Sequence, residues 1–410
     1  MASTAFSSTM TTAQSSALIC RKTMKHASTL LRFPSSLLSV RSYNSLLRFT
    51  PTPLVRFPFL VQNDDGTLSS SSTSPWLMLP PVFGGNNKLD MFYQFYSLGL
   101  DRVLSVPKRS IPSYENDNLE IVGSSRGWLA LFNKENYCDL FLSNPLTGRH
   151  VKLPSLDSLL AFCCPGHTNP VWTRIGDPST SFQFDSITYS SRQKLFFCAK
   201  GPSGRTDHIE AWDLCDPLSP KMVPLPPVTV DKHNYPVASH SELESKLKHL
   251  CGYDAVFLVL PEHTEELFQV RQYVLHRMGP DGSFADDVYY EGNSDSDESP
   301  HKTVGFDVHK YDPKTGKKVY MDRTLGGLAL FVGPQEGFAL SADEYQGLKP
   351  NSIYYTDMYY LDRYGGHDIG IFNYENETFS PCYYPCDLKS MMTKIVPNPI
   401  WFRPSPCAFI

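Results

Sequence analysis

Leu142-Ser143-Asn144-Pro145-Leu146-Thr147-Gly148-Arg149, running on through His150 to Pro154, is an apolar stretch, an Asn-Pro turn closed by glycine, and a second extended stretch. Asn bonds its side chain to nearby backbone, Pro presets φ at the next position, and Gly accepts a left-handed conformation. The segment therefore reads as a β-hairpin. The same pattern returns in Trp212-Asp213-Leu214-Cys215-Asp216-Pro217-Leu218-Ser219-Pro220-Lys221, which leads into Met222 to Pro226. Val308-His309-Lys310-Tyr311-Asp312-Pro313-Lys314-Thr315-Gly316-Lys317 is a third copy, and Phe372-Asn373-Tyr374-Glu375-Asn376-Glu377-Thr378-Phe379 a degenerate fourth. A lone hairpin cannot bury its own apolar face, so a recurring hairpin implies small sheets stacked on one another. Gaps of roughly 60 to 100 residues between copies hold one or two four-stranded blades of about 40 to 50 residues. The body from about Pro75 to Ile410 then divides into six or seven. The fold class is all-β: a β-propeller of about six or seven four-stranded blades, with paired β-sandwiches as the alternative.

The rest of the body has the same texture. Short apolar runs at Trp128 to Phe132, Leu140 to Leu142, Leu195 to Cys198, Ala255 to Leu260, Leu328 to Val332, Ile353 to Tyr355 and Ile369 to Phe372 are bounded by Gly, Pro, Asn or Asp. These are strands. Two helical exceptions are expected: Ser239 to Leu250, with leucines at helical spacing, and a short turn at Ser341 to Tyr345, where Ser341 and Glu344 match a capping box.

The N-terminal region differs in chemistry. Asp64 is the first acidic residue, and the 63 residues before it hold seven Lys or Arg among many Ser and Thr. An import presequence is drawn inward by a membrane potential and held by acidic receptors, which selects basic residues and excludes carboxylates. Cys20 to Phe33 can form a short amphipathic helix that Pro34 ends. Arg41-Ser42-Tyr43 before Asn44 matches a mitochondrial processing site cut at Tyr43-Asn44. The expected organisation is a disordered or weakly helical mitochondrial targeting peptide at 1–43, a linker at 44–74 and the propeller at 75–410. The matrix is the expected location and the import machinery an expected partner. The uncharged, hydroxyl-rich stretch Met1 to Ser16 makes the chloroplast the alternative address.

From Asp64 onward, thirty basic residues face forty-two acidic ones, so the net charge of −5 hides a body near −12. Nucleic acid is not expected as a partner, since phosphate binding needs clustered Lys and Arg. No stretch approaches the ~18 apolar residues of a membrane helix, so no membrane span is expected.

Candidate chemistry is sparse. Gly123-Ser124-Ser125-Arg126-Gly127 fits the G-x-S-x-G pattern, but a strand-like run follows it where a nucleophile elbow needs a helix. It reads as a glycine-flanked turn into a strand. Gly365-Gly366-His367-Asp368 is the most site-like segment, because a His beside an Asp can serve as acid or base. It too is read as structural. Cys382 and Cys386, with His367 upstream, fall short of the two pairs of a usual zinc site, and the adjacent Cys163-Cys164 would point to opposite faces of a strand. Within the acidic run Asp281 to Glu298, the spacing Asp295-Ser296-Asp297-Glu298 lacks the central glycine and closing Glu of a calcium loop. Asn376-Glu377-Thr378 matches a glycosylation acceptor and reads as a turn. No phosphate-binding glycine loop occurs. No catalytic, cofactor-binding or metal-ligating residue is assigned, and no cofactor is expected.

Several segments resemble the KIB-type β-propeller family of plants, whose propeller usually follows an F-box. They are Pro75 to Pro80, Gly123 to Leu129, Leu142 to Pro154, Gly305 to Val308, Leu325 to Gly333, Ser341 to Ser352 and Gly366 to Gly370. The resemblance implies a propeller over essentially the whole body and supplies no catalytic residues. Before Trp76, where an F-box member would carry a leucine-rich helical module, this sequence shows the basic segment instead, so it looks like an organelle-targeted branch of the family. The expected function is a non-enzymatic organellar module that binds a protein partner. An organellar enzyme with a central pocket, or an F-box-derived recognition protein without ubiquitin-ligase docking, are the alternatives.

Overall fold

The computed structural model describes residues 74–84, 91–108, 119–133, 139–153, 161–162, 173–174, 184–200, 209–216, 219–230, 252–261, 264, 266–275, 301–357, 367–386, 395 and 398–404. Residues 1–43, the helix expected at Ser239 to Leu250, Cys163-Cys164 and the acidic run Asp281 to Glu298 lie outside them. Among the described residues every regular element is a strand.

One sheet has the order β24 (Ile400–Phe402), β1 (Trp76–Phe83), β2 (Met91–Ser97), β3 (Arg102–Pro107). Its register slips between Leu79 and Val82, where Pro80 and Pro81 have no N–H to give the ladder. The next is the meander β4 (Leu119–Ser125), β5 (Trp128–Asn133), β6 (Leu140–Asn144), β7 (Arg149–Lys152). A short pair, β8 (Ala161–Phe162) and β9 (Thr173–Arg174), follows in the chain. Then comes β10 (Phe184–Ser190), β11 (Leu195–Lys200), β12 (Ile209–Asp213), β13 (Lys221–Val223). A fourth meander is β15 (Gly252–Pro261), β16 (Leu267–Leu275), β17 (Lys302–Tyr311), β18 (Lys317–Tyr320), with β14 (Thr229–Val230) parallel to β18 at its rim. The fifth group comprises β19 (Leu328–Val332), β20 (Phe338–Ser341), β21 (Ser352–Tyr355), β22 (Gly370–Asn373) and β23 (Thr378–Ser380), in the order β20-β19-β21-β22-β23. A two-residue parallel pairing joins β20 to β15.

The sheets pack face to face in a series that the strand periodicity explains. Along β15, Ala255, Phe257 and Val259 point into a core shared with β19 and β21, while Val256 and Leu258 point into a core shared with β11 and β12. Both faces are covered, so Ala255 to Leu260 is an unbroken apolar run rather than an alternating one. Likewise Leu330 and Val332 of β19 face the β15 sheet, and Phe331 faces Leu77 and Trp401 of the β1 sheet. Trp76, Phe95 and Phe402 meet Leu129 of β5 in the next core. Each fully buried Phe or Leu contributes about 1.5–3 kcal/mol. The sheets are the blades of a β-propeller, and the described residues supply five of them plus the β8/β9 pair. The ring is tied by its two ends, since Ile400, Trp401 and Phe402 pair with Met78, Leu77 and Trp76.

All seven apolar runs named above lie in strands, apart from Ile369, which directly precedes β22. The four repeats are the hairpins β6/β7, β12/β13, β17/β18 and β22/β23. Their turns share one device. Asn144 Oδ1 accepts from the amides of Leu146 and Thr147, both at 3.0 Å, and Asn373 Oδ1 from those of Glu375 and Asn376, at 3.0 and 3.1 Å. Asp312 Oδ1 accepts from the Lys314 amide at 2.9 Å, and Asp213 Oδ1 from Cys215 at 2.9 Å. The helical turn expected at Ser341 to Tyr345 is instead a series of turns: Ser341 is the last residue of β20, paired with Leu328, and its carbonyl accepts from the Glu344 amide at 3.2 Å. Strand pairing fixes Ser341 before it can cap.

Candidate functional site

β4, β10 and β24 are edge strands of their sheets, and β15 and β20 meet at the short parallel joint. Where these converge, a pocket of about 250 Å³ opens at one end of the propeller axis. Ser124 and Ser125 enter it from β4, Thr188 to Ser190 from β10, Leu260 from β15, Phe338 from β20, and Arg403 from just beyond β24. Arg126 and Arg192 reach it from turns.

Glu336, in the loop between β19 and β20, braces the pocket. Its Oε2 accepts from the Ser125 hydroxyl, and its Oε1 from Thr188 Oγ1 at 3.4 Å and the Tyr189 amide at 3.5 Å. Its own amide donates to the Ser124 carbonyl at 3.4 Å. One side chain thus links three blades. Gly337 beside it permits this approach, because a Cβ there would lie 2.7 Å from the Leu258 carbonyl oxygen. Ser124 Oγ donates to the Trp401 carbonyl, which ties the ring-closing strand to the same wall.

Arg126 and Gly127 form the two-residue link between β4 and β5, with φ of 46° and 85°. Two positive φ values in a two-residue hairpin are those of a type I′ turn. The G-x-S-x-G segment is therefore a hairpin, as its sequence context predicts. The Arg126 side chain is exposed, donates through Nη2 to the Tyr189 carbonyl at 3.3 Å, and lies 5.7 Å from the centre of the Tyr189 ring. Tyr189 in turn packs on Phe196, with ring centres 4.6 Å apart.

His367 and Asp368 do not line this pocket. They sit just before β22 in a closed polar cluster, with Asp368 1% exposed. Asp368 Oδ2 accepts from the Thr303 amide at 2.7 Å and its hydroxyl at 2.5 Å, fastening the start of β17 to β22, and Oδ1 makes no hydrogen bond. Burial raises the Asp368 carboxyl to about 6, helped by the Asp357 charge and opposed by His301 and the Thr303 bonds. His301 Nε2 lies 2.8 Å from Asp357 Oδ1, with both side chains buried. Burial acts to lower His301, but the Asp357 charge and hydrogen bond, with Asp368 behind, hold it above its ordinary value. Gln272 Nε2 donates to Thr303 Oγ1 at 2.6 Å and closes the cluster. His367 packs against the Tyr384 ring.

Cys382 is a core residue whose thiol burial pushes up to about 12, and Cys386 lies partly buried nearby. Among the described residues no three His, Cys, Asp or Glu side chains are grouped to hold a metal ion. Asn376 and Glu377 lie in the β22/β23 turn and Thr378 opens β23, with Thr378 Oγ1 donating to Asn376 Oδ1 at 2.5 Å.

The KIB1-4 β-propeller family model matches residues 95–212 and 157–373. The chain belongs to the KIB1-4 β-propeller family. An F-box protein of Arabidopsis thaliana is 43% identical over 58 residues, 14% of each chain. A second Arabidopsis thaliana protein, likewise named for an F-box, is 31% identical over 105 residues, 24% of this chain and 27% of its own. The matched segments thus span under a third of either relative. A Bacteroides uniformis structure named as a 6-phosphogluconolactonase covers 75% of this chain and 81% of its own, at 12% identity and a TM-score of 0.22. Within this KIB1-4 propeller, the axial residues Ser125, Arg126, Tyr189, Arg192, Glu336 and Arg403 are the ones sequence reading misses as a group. Only their convergence in space marks them; the one sequence signal is an Arg beside Gly at a hairpin tip, where Asn or Gly is preferred.

Proposed function

We propose that this propeller is a non-enzymatic interaction module that holds a protein partner at its axial end, in the mitochondrial matrix or, as the alternative address, the chloroplast. The observation that carries the reading is the pocket itself: loop and strand-end residues from five blades meet on a rigid ring, the arrangement that suits recognition. Kinship with F-box proteins supports an interaction role. The basic, acid-free first 63 residues and Arg41-Ser42-Tyr43 support the address.

Proximity labelling with the full chain fused at its C-terminus, followed by mass spectrometry, is expected to enrich at least one matrix protein and to place the fusion in mitochondria. Solely cytosolic fluorescence of the fusion would remove the address, and labelling no greater than an untargeted matrix control would remove the partner. The convergence of Ser125, Arg126 and Glu336 favours a second reading, an enzyme using this pocket. Turnover of an ester or phosphoester panel, lost in Ser125→Ala, would replace the interaction reading with that one.

A further inference from the structure

We propose that the axial pocket is an oxyanion receptor: Arg126 takes a carboxylate or phosphate group carried by the protein partner. This rests on the interaction reading and names the chemistry it uses. The chain as a whole is acidic, at −5, yet three guanidinium groups and one carboxylate line this cavity. Both Glu336 oxygens are taken by Ser125, Thr188 and Tyr189, and Arg403 Nη2 donates to the Tyr345 hydroxyl at 3.4 Å, so the exposed Arg126 is the cation the pocket offers to a ligand. The size of about 250 Å³ suits a side-chain anion better than a large cofactor, whose sites run from about 300 Å³ upward.

Arg126 is the residue built for this. One of its five N–H donors is engaged with the Tyr189 carbonyl, and the ring below holds the guanidinium plane in place. A fixed planar fork is what bidentate oxyanion recognition needs. Its backbone has a positive φ, which a non-glycine residue holds at a cost of about 1 kcal/mol. Asn at that position would suit a type I′ turn before Gly127 better. The fold thus carries a locally unfavourable residue where the pocket gains a cation.

The test uses the full chain and fluorescence anisotropy with a labelled hexaglutamate peptide, a phosphoserine peptide and a hexaglutamine control, with inorganic phosphate as competitor. At least one acidic probe is expected to bind, the control is not, and the preferred probe identifies the anion's source. Arg126→Asn should weaken binding about tenfold or more, the loss of a charge-assisted hydrogen bond, while its urea midpoint stays level or rises. Glu336→Gln should tighten binding about threefold by removing the opposing charge. Failure of both acidic probes to exceed the control, or binding indifferent to Arg126→Asn, overturns the proposal. A labelled partner whose capture survives Arg126→Asn defeats this pocket but leaves the interaction reading standing. Arg126-dependent probe binding without any captured partner does the reverse.

Discussion

Asp368 holds the Thr303 amide and hydroxyl through one oxygen, while burial raises its carboxyl to about 6 against an ordinary value near 3.9. A carboxyl raised on folding favours the folded state while protonated, so that stability is fully present below about pH 4 and lost as pH climbs through about 6. His301 works in the same direction, because its folded value is raised: its contribution is present below about 6.5 and lost above. Asp368→Asn keeps an acceptor for Thr303 and removes the buried charge. It is expected to raise the melting temperature at pH 8 by a few degrees, about 1–2 kcal/mol, and to leave it unchanged at pH 4. An equal rise at both pH values would show that the charge is not the cause. The Gly-Gly-His-Asp segment is site-like in sequence because acid and base stand side by side. Its partners Thr303, His301 and Asp357 are distant in the chain, and they turn it into a buried fastening.

Hairpins β6/β7, β17/β18 and β22/β23 were legible because everything that forms them lies within a few residues: an Asn or Asp oxygen facing the next amides, then a residue of positive φ. That last residue is Gly148, Gly316 and Glu377 respectively, with φ of 70°, 73° and 57°. The degenerate copy therefore strains a glutamate where the others use glycine. Glu377→Gly is expected to change stability favourably by up to about 1 kcal/mol, read as a higher urea midpoint. Gly316→Ala runs the other way. Besides the left-handed backbone, its Cβ would strike the Pro227 carbonyl beneath it, where Thr229 pairs with β18, and a loss of about 2 kcal/mol or more is expected. A midpoint unchanged in Gly316→Ala would mean that the β14 strand is not packed on this turn. Ser341 marks the boundary of local reading, since its capping signal is overridden by pairing with Leu328 across the sheet.

At the scale of the molecule, neither the ring closure nor the axial pocket is local. Trp76 pairs with Phe402 from the far end of the chain, and the closing strand is the apolar triplet Ile400-Trp401-Phe402, too short to stand out among the others. The same distance hides the pocket, whose residues come from chain segments as far apart as Ser124 and Arg403. Closure has an energetic consequence. Trp401 is fully buried against Phe331 and Tyr354, with ring centres at 5.1 and 5.7 Å, while Ile400 and Phe402 fill the neighbouring core on the opposite face of β1. Truncating one such side chain costs about 2–5 kcal/mol, so losing all three rivals the whole stability of a domain, about 5–15 kcal/mol. A chain ended after Pro397 would also leave the β1 edge unpaired, an invitation to association. Such a chain is expected to lose its cooperative urea transition and to aggregate. A synthetic peptide of residues 398–404, added in excess, should restore the transition by taking the place of β24 at the open edge. A truncated chain that unfolds at the full-length midpoint would mean that the blades, not their closure, hold the ring together.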